Sequence, residues 1–317
     1  MQIAVFGLGK MGMQIAKRLS DNGFSVLAWN RSEGPRQEFE KFLLEKREER
    51  KEKRGVFSSI DDLANAFKHE PRIFWLMLPS ETVEDFIFNK ELLGGVLKKG
   101  DIVIDGGNSH YKKSIERAQK LKEMDVHFFD VGVSGGVWGY KNGFALMAGG
   151  SIQNYKHIEP ILKALSSGEN YGLVGPSGAG HFVKMVHNGI EYGMMEAIGE
   201  GYGIMKESKM DLDLLQVTKI YQEGTVIRSW LIDLTRNIFE QEDLEKTKGE
   251  INMLGEGEWT VETAKELGVD ARVIEDSVNV RKESKDPKNQ KKFSNKIVAL
   301  LRKQFGGHKV NDKIDHN

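Results

Sequence analysis

The chain has 317 residues, enough for two ordinary domains, and 39% of them are hydrophobic, which excludes a disordered or fibrous protein. Its 46 lysines and arginines nearly balance 47 aspartates and glutamates, and this net charge of −1 argues against a dedicated nucleic-acid-binding protein. Cysteine is absent, which rules out disulfides, cysteine nucleophiles and thiolate metal sites, and no apolar run is long enough to span a membrane.

Short β-branched and aromatic runs alternate with helical stretches over the first 175 residues. The predicted strands are Gln2–Phe6, Ser25–Trp29, Ile73–Leu78, Ile102–Asp105, Val126–Asp130, Phe144–Ala148 and Gly172–Val174. Helical patterns such as Met11–Asn22 and Lys112–Glu123 lie between them. This alternation predicts an α/β domain with a Rossmann-type, doubly wound and largely parallel sheet. The first strand pattern starts without a charged leader or a cleavage site, so we expect a cytoplasmic protein.

The pattern changes beyond Gly175-Pro176-Ser177-Gly178, where no further strand is predicted. The amphipathic stretches that follow are Gly180–Lys206, Leu212–Tyr221, Val226–Glu240, Val261–Leu267, Ala271–Val280 and Asn289–Gln304. We therefore predict an α/β domain over residues 1–177 and an all-α domain with a C-terminal tail over residues 178–317. The run 45–54 consists only of charged residues of both signs, which is typical of a solvated helix face.

A glycine-rich turn follows the first predicted strand. Gly7-Leu8-Gly9-Lys10-Met11-Gly12 has the spacing G-x-G-x-x-G and joins a predicted strand to a predicted helix. The first glycine would allow the tight turn, the second the approach of a pyrophosphate, and the third close packing of the helix on the strand. Free N–H groups at the helix N-terminus would then bind the phosphates of a dinucleotide.

The end of the second predicted strand reads Trp29-Asn30-Arg31-Ser32 and contains no carboxylate. Proteins that bind NAD usually place Asp or Glu there for the ribose hydroxyl. A carboxylate would repel the 2′-phosphate of NADP, whereas the guanidinium of Arg31 can pair with it. The sequence therefore predicts NADP as the preferred cofactor. NAD remains the alternative, because Arg31 could be an ordinary surface residue and Glu33 follows closely.

Two loops after predicted strands carry polar groups that could bind substrate. Asn108, in Asp105-Gly106-Gly107-Asn108-Ser109, can both donate and accept hydrogen bonds at the end of a strand, where such sheets bind their ligands. Ser134-Gly135-Gly136 offers a hydroxyl and exposed backbone N–H groups that suit a carboxylate. Either segment could also be an ordinary loop.

Polar residues collect on one side of the first helix of the second domain. At about 100° per residue, an arc of roughly 140° holds Lys184, His187, Asn188, Glu191 and Tyr192. Val183, Val186 and Ile190 face the other way. A solvated face could look similar, but it seldom combines these residue types with glycines inside the helix. Because Gly189 costs about 1 kcal/mol relative to alanine, we expect something to approach the helix closely there.

These segments together resemble the 6-phosphogluconate dehydrogenase family, the decarboxylating enzymes of the pentose phosphate pathway. The resemblance rests on the glycine motif, the Asn30, Asn108 and Ser134 segments, and above all on Lys184-Met185-Val186-His187-Asn188-Gly189-Ile190-Glu191-Tyr192. It continues through Gly255-Glu256-Gly257-Glu258-Trp259-Thr260 to Arg302-Lys303-Gln304-Phe305-Gly306-Gly307-His308. The length is similar to the short form of the family, which lacks the duplicated helical half of the long form.

The resemblance implies an oxidoreductase that converts 6-phosphogluconate into ribulose 5-phosphate and CO₂ with reduction of NADP and without a metal. Lys184 would act as general base at the C3 hydroxyl, and Glu191 would protonate C1 of the enediol product. The sugar-acid end would be held by Asn108, Ser134, Gly135, Gly136, His187 and Asn188, and the phosphate by Tyr192, Thr260 and Arg228. The cofactor would contact Gly7, Leu8, Gly9, Lys10, Met11, Gly12, Asn30, Arg31, Ser32 and Asn108.

The resemblance also implies a homodimer or a dimer of dimers with shared active sites, and no nucleic-acid or membrane partner. Arg302 and His308 resemble C-terminal substrate contacts that come from the neighbouring subunit. Arg228 resembles a phosphate-binding arginine in the duplicated half of the long form, and the subunit from which it would act stays open.

The chain departs from the family at Glu258, where Lys or Arg usually precedes the tryptophan, close to the substrate phosphate. An acid there would repel a phosphate unless it turned away or paired with a nearby base. One rival interpretation is a non-decarboxylating β-hydroxyacid dehydrogenase, which generally lacks the His187…Glu191-Tyr192 pattern. Another is a non-catalytic NADP-binding sensor, which would usually lose Lys184 or Glu191.

Overall fold

An eight-stranded sheet forms the centre of the first half of the chain. The computed structural model describes residues 1–45, 55–307 and 310, and it divides into one compact unit over Met1–Lys184 and a second that begins at Met185. The strands are β1 (Gln2–Phe6), β2 (Ser25–Trp29), β3 (Gly55–Phe57), β4 (Ile73–Leu76), β5 (Ile102–Asp105), β6 (His127–Ser134), β7 (Ala145–Gly150) and β8 (Tyr171–Gly175).

The strand order β3-β2-β1-β4-β5-β6-β7-β8 is that of a doubly wound sheet. The strands from β3 to β6 pair in parallel, β7 runs antiparallel to β6, and β8 is parallel to β7. The prediction of a Rossmann-type, largely parallel sheet is therefore confirmed. The sequence did not reveal β3, because three residues beginning with a glycine carry too little β pattern.

Helices cover both faces of this sheet. They are α1 (Lys10–Asp21), α2 (Glu33–Glu45), α3 (Ile60–Asn65), α4 (Ser80–Phe88), α5 (Tyr111–Glu123), α6 (Gly139–Asn142) and α7 (Ile152–Leu165). Successive residues of a strand point to opposite faces, so Ile3 and Val5 pack in one core, while Ala4 and Phe6 pack in another. Each core is buried by its own set of helices. Of the charged run 45–54, Glu45 ends α2 and residues 46–54 lie outside the described part of the chain.

Among the residues that the structure describes from 185 onward, the regular secondary structure of the second unit is helix, joined by loops. A long helix, α8 (Ala179–Glu207), begins in the first unit and continues into the second, followed by α9 (Leu214–Gln222), α10 (Trp230–Gln241), α11 (Glu256–Glu266), α12 (Arg272–Glu283) and α13 (Phe293–Gly306). The all-α prediction for this half is confirmed. Three helix starts differ from the predicted ones by four or five residues. Ser229 caps α10 through the Ile232 N–H, 3.3 Å away, so residues 226–229 are not helical, α11 begins five residues earlier, and α13 begins four residues later.

The core of the second unit lies around α13. Residues 295–302 of this helix are all buried, and Val298 and Leu301 pack in one cluster with Met195 of α8 and Leu234 of α10. A helix that is buried on every side is a central element of its unit. Of the candidate site residues, Arg302 lies on this central helix.

Candidate active site

The three glycines of the first turn have separate structural roles. Gly7 has a φ of +90°, and a Cβ there would overlap the Met77 carbonyl, so only glycine fits the turn. A Cβ on Gly12 would overlap the carbonyl of Gly7, which shows how closely α1 packs on the turn. A Cβ on Gly9 would meet open space, so the backbone at the start of α1 is accessible to a ligand. This arrangement fits a dinucleotide pyrophosphate.

Of the residues that follow β2, one supports the glycine turn and two are exposed. The Asn30 Oδ1 accepts a hydrogen bond from the Leu8 N–H at 2.9 Å, so this side chain holds the glycine turn. Arg31 and Ser32 are exposed. Sequence reasoning missed Arg36, which donates to the Asn30 carbonyl at 3.0 Å and fastens the same turn.

The loop after β5 and the loop after β6 hold the next predicted residues. Asn108 is exposed between the half-buried Gly107 and the buried Ser109. Ser134 ends β6, and Gly135 and Gly136 have φ values of +134° and +54°, a backbone path that other residues rarely take. All three residues are half-buried, and the two glycines carry no side chains that would cover their backbone.

The start of α8 is held by a buried carboxylate that sequence reasoning missed. Asp130 of β6 accepts hydrogen bonds from the backbone N–H groups of Gly178 at 2.6 Å and His181 at 2.8 Å. Burial raises the pKa of Asp130, and the two N–H donors and His181 oppose that rise. A Cβ on Gly132 of β6 would overlap the Cβ of Lys184, so the strand and the lysine are in close contact. Strand β6 thereby fixes the position of Lys184.

The polar side of α8 continues within the second unit. His187 Nδ1 lies 3.0 Å from the Asn188 Oδ1 and 3.8 Å from a carboxylate oxygen of Glu191. The Asn188 amide donates to Glu256 at 3.2 Å. Because a carboxylate only accepts hydrogen bonds, this contact orients the amide group of Asn188. Helix α8 is continuous, so Lys184 and Glu191 lie on one face, two turns or about 10 Å apart.

The close approach predicted at Gly189 is made by Thr260 of α11. A Cβ on Gly189 would lie 2.7 Å from the Thr260 Cγ2. Thr260 is 5% exposed, and its hydroxyl lies 2.9 Å from the Met185 carbonyl and 2.8 Å from the Glu256 carbonyl. The structure therefore gives Thr260 a packing position between two helices, and its role in phosphate binding stays a prediction.

Two buried arginines surround Tyr192 in the interior of the second unit. The guanidinium carbon of Arg281 lies 3.3 Å from the centre of the Tyr192 ring, and Arg281 Nε is 3.4 Å from Glu196. Arg281 is fully buried, and its Nε and one terminal nitrogen lack a hydrogen-bond partner among the described residues. Burial and the neighbouring Arg281 lower the pKa of Arg302 to about 10, while Tyr192, Glu191 and Glu256 oppose the shift. Sequence reasoning missed Arg281, because one arginine in the charge-rich α12 carries no distinguishing signal.

Of the two C-terminal residues expected to act from a neighbouring subunit, the structure describes Arg302, and the role of both across an interface stays a prediction. Arg302 is 5% exposed and faces Tyr192 and Arg281 of its own unit, because it lies on the buried helix α13. His308 lies outside the described residues. Arg228 is exposed in the segment before α10.

Glu258 forms an ion pair with Lys282 at 2.8 Å, which is the pairing with a nearby base that would reduce its repulsion of a phosphate.

The fold and the glycine turn define a dehydrogenase with a dinucleotide-binding domain, and comparison with known proteins specifies the class. Residues 2–175 match the NAD-binding domain of 6-phosphogluconate dehydrogenase, and residues 180–315 match its C-terminal domain. The chain therefore belongs to the 6-phosphogluconate dehydrogenase family and is an oxidoreductase of that family.

The chain is similar in sequence to relatives of two different lengths. A Haloferax volcanii protein named NAD(+)-dependent, decarboxylating 6-phosphogluconate dehydrogenase is 36% identical over 99% of this chain and 100% of its own length. The decarboxylating 6-phosphogluconate dehydrogenase of Mus musculus is 35% identical over 94% of this chain but only 64% of its own length. The chain thus spans all of one relative and about two thirds of the other.

Solved structures show the same fold. The Plasmodium falciparum 6-phosphogluconate dehydrogenase, solved without ligands, with NADP+ and with 6-phosphogluconate, has a TM-score of 0.80 at 32% identity over 90% of this chain and 62% of its own. A 3-hydroxyisobutyrate dehydrogenase from Salmonella typhimurium has a TM-score of 0.70 at 17% identity, over 94% of this chain and 98% of its own, which shows the fold alone. In the part of the chain that the structure describes, no helix is long and apolar enough to cross a membrane.

Proposed function

We propose that this chain catalyses the oxidative decarboxylation of 6-phosphogluconate to ribulose 5-phosphate and CO₂, with NADP as the preferred cofactor. The observation that carries the proposal is the polar side of α8, where Lys184 and Glu191 lie on one face of one helix with Asn188 between them. Curated relatives with the decarboxylating name and substantial identity support it.

The proposed chemistry divides between Lys184 and Glu191. Lys184 takes the proton of the C3 hydroxyl when that carbon is oxidised. The nicotinamide cofactor supplies the acceptor for the hydride that leaves C3. Protonated Lys184 then donates its proton to the new ketone oxygen while the C1 carboxylate of the substrate leaves as CO₂, so that the bonding electron pair forms an enediol. Glu191 donates a proton to C1 of the enediol, the former C2 of the substrate, while the C2 hydroxyl of the enediol returns its proton to Lys184, which gives the ketose product.

The remaining groups hold the two ends of the substrate. We assign the sugar-acid end to Asn108, the Ser134-Gly135-Gly136 segment, His187 and Asn188. The buried cations Arg281 and Arg302, next to Tyr192, suit the doubly charged phosphate end, because Arg281 Nη1, which lacks a hydrogen-bond partner among the described residues, would gain an acceptor there. Arg228 remains a candidate phosphate ligand.

The preference for NADP rests on the exposed Arg31. It lies directly after Asn30, whose side chain is used by the glycine turn, and no carboxylate precedes α2 at this position. An exposed guanidinium at the end of β2 favours a 2′-phosphate. The Haloferax volcanii relative is named as NAD-dependent, so both cofactors belong in the assay.

We also propose that the chain forms a homodimer or a dimer of dimers. Ile190, Met194 and Ile204 of α8 are 54%, 42% and 73% exposed, and their spacing places them on one side of the helix. An apolar stripe of this kind is typical of a surface that is covered by a partner.

The test is turnover by the purified chain with 6-phosphogluconate and each cofactor, in which NADPH absorbance and released CO₂ are measured together. We expect one CO₂ for each NADPH. Reduced cofactor without CO₂ would favour a non-decarboxylating dehydrogenase, and cofactor binding without turnover of 6-phosphogluconate or 3-hydroxyisobutyrate would favour a sensor.

Lys184→Ala should abolish NADPH formation, with a loss of about 10⁴-fold. Glu191→Gln should still form NADPH and CO₂ in a first turnover but release ribulose 5-phosphate slowly.

A further inference from the structure

A buried ion pair lies directly beneath the loop that carries Asn108. One Asp105 carboxylate oxygen accepts hydrogen bonds from the Ser109 hydroxyl at 2.7 Å and from Arg117 Nη1 at 2.9 Å. The other accepts from the Gly107 N–H at 3.1 Å. Arg117 Nη1 also donates to the Ser109 hydroxyl at 3.1 Å. Gly107 and Ser109, on the two sides of Asn108, are therefore both bonded to Asp105, and Arg117 binds both Asp105 and Ser109.

Arg117 extends this network to the loop after the neighbouring strand. Its Nη2 donates to the Ser80 carbonyl at 3.3 Å, and its Nε pairs with Glu84 of α4 at 3.1 Å. A Cβ on Gly107 would lie 2.7 Å from the Leu78 carbonyl, so the two loops are also in direct backbone contact. Arg117 of α5 thus joins the carboxyl ends of β4 and β5, the edge of the sheet at which doubly wound folds bind their ligands.

The same two strands carry a second buried pair at their other end. Arg72 precedes β4 and Asp101 precedes β5, and Arg72 Nε donates to Asp101 at 2.9 Å. The side chains of Arg72 and Asp101 are 7% and 4% exposed, against 3% and 0% for Arg117 and Asp105. The two pairs are alike in chemistry and burial, and they differ in the end of the sheet that they hold.

We propose that Arg117 is a positioning residue for Asn108: paired with Asp105, it fixes the loop 106–109 in the conformation that the reaction requires. This inference rests on the proposed function, which places Asn108 against cofactor and substrate. Arg117 touches neither reactant and acts through the loop. A displacement of about 1 Å at a substrate-positioning group can cost about 100-fold in rate, so a pair that prevents such a displacement controls catalysis from a distance.

The test compares Arg117→Met with Arg72→Met, which removes the matched pair at the opposite end of the same strands. We expect both variants to lose similar thermal stability, but only Arg117→Met to lose kcat, by roughly 10- to 100-fold. In an Asn108→Ala background the further loss from Arg117→Met should fall below about threefold, because the group being positioned is gone. If Arg117→Met does not fold, Ser109→Ala is the alternative, because it removes only the hydroxyl between the two charges. We expect a smaller loss of kcat from Ser109→Ala, which should again diminish in the Asn108→Ala background.

Equal losses of kcat in the two arginine variants would overturn the proposal. So would a double variant whose loss of kcat equals the product of the losses from Arg117→Met and Asn108→Ala alone. Amide hydrogen exchange separates this result from failure of the proposed function. Exchange at residues 107–109 should rise in Arg117→Met and stay unchanged in Arg72→Met, whichever substrate the enzyme uses. Unchanged exchange in both variants would overturn the proposal. If the wild-type protein is inactive on 6-phosphogluconate, the proposed function is wrong. The exchange measurement then still decides whether Arg117 holds the loop 106–109.

Discussion

Glu196 shows how strongly the interior of the second unit acts on a single ionisable group. It is 6% exposed, and burial raises its pKa to about 7, although Arg281 opposes the rise. The unfolded chain would ionise the same group near its ordinary value of 4.5. Between these two values the folded protein binds the proton more tightly than the unfolded chain, so the stability from this group is present at low pH and decreases as the pH rises through about 7.

Replacement of Glu196 by Gln should therefore remove a pH dependence of stability. We expect the free energy of unfolding of the wild type, relative to Glu196→Gln, to fall by on the order of 1–3 kcal/mol between pH 5 and pH 8. Urea unfolding of both proteins at several pH values measures this difference. Glu207→Gln, at an exposed position of the same helix, is the control and should show no such trend. Parallel curves for wild type and Glu196→Gln would contradict the prediction.

Arg31 carries the second prediction at the scale of single residues. Arg31→Ala should weaken NADP binding by about 10- to 100-fold, because a hydrogen bond to a charged group contributes roughly 1.5–3 kcal/mol, and it should leave NAD binding nearly unchanged. Steady-state kinetics with both cofactors gives the two ratios. Arg36→Ala is the comparison, because the Arg36 contact with the Asn30 carbonyl supports the turn used by either cofactor. A higher kcat/KM of the wild type with NAD would show that the interpretation of the β2 end is wrong.

At the scale of elements, the crossing of α8 and α11 depends on small residues at the contact. Thr260 packs against Gly189, and Tyr192 packs against Gly257, whose Cβ would overlap the tyrosine ring. These contacts lie next to Asn188 and Glu256, the pair that orients the amide on the polar side of α8. The packing of α11 thus supports the geometry of the candidate site.

Gly189→Ala tests this packing, because two effects of opposite sign compete. Alanine favours the helix by about 1 kcal/mol, whereas overpacking against Thr260 costs typically about 1–3 kcal/mol. We expect net destabilisation, together with reduced activity. Gly203→Ala is the control on the same helix, since its Cβ would lie 3.5 Å from the nearest Ser294 atom, an ordinary contact, so it should stabilise the protein. Thermal unfolding of the two variants should shift in opposite directions.

Elements with a strong pattern were predictable, and contacts between elements were not. The alternating runs of β1 and β5 and the long amphipathic α8 match their predicted positions, because local periodicity determines them. The strand β3 has only three residues and no such periodicity. Gly189 indicated a close approach, but the sequence could not identify Thr260 as the partner, since that contact joins residues 71 positions apart. The contacts of Asp130 and Arg117 were not predictable for the same reason, and Arg281 was also hidden among the many charged residues of α12.

At the scale of the whole molecule, the proposed dimer and the place of Arg302 are separate questions. The exposed stripe on α8 favours a second copy as its cover. Arg302, however, is buried in its own unit on a central helix, next to Tyr192 and Arg281. If Arg302 acts within its own chain, a dimer built on α8 does not require Arg302 to be shared, so the dimer and the role of Arg302 need separate tests.

Mixed dimers distinguish these cases. When Lys184→Ala subunits are unfolded and refolded with Arg302→Ala subunits, we expect no recovery of activity, because each chain then carries one defect in its own site. The parallel mixture with His308→Ala should recover up to about a quarter of wild-type activity if the tail residue acts across the interface, since half of the dimers are hybrid and each has one intact site. Equal recovery in both mixtures would place Arg302 in the partner's site and contradict its assignment to its own unit. Recovery in neither mixture, with dimers confirmed by light scattering, would show that each chain builds its active site alone.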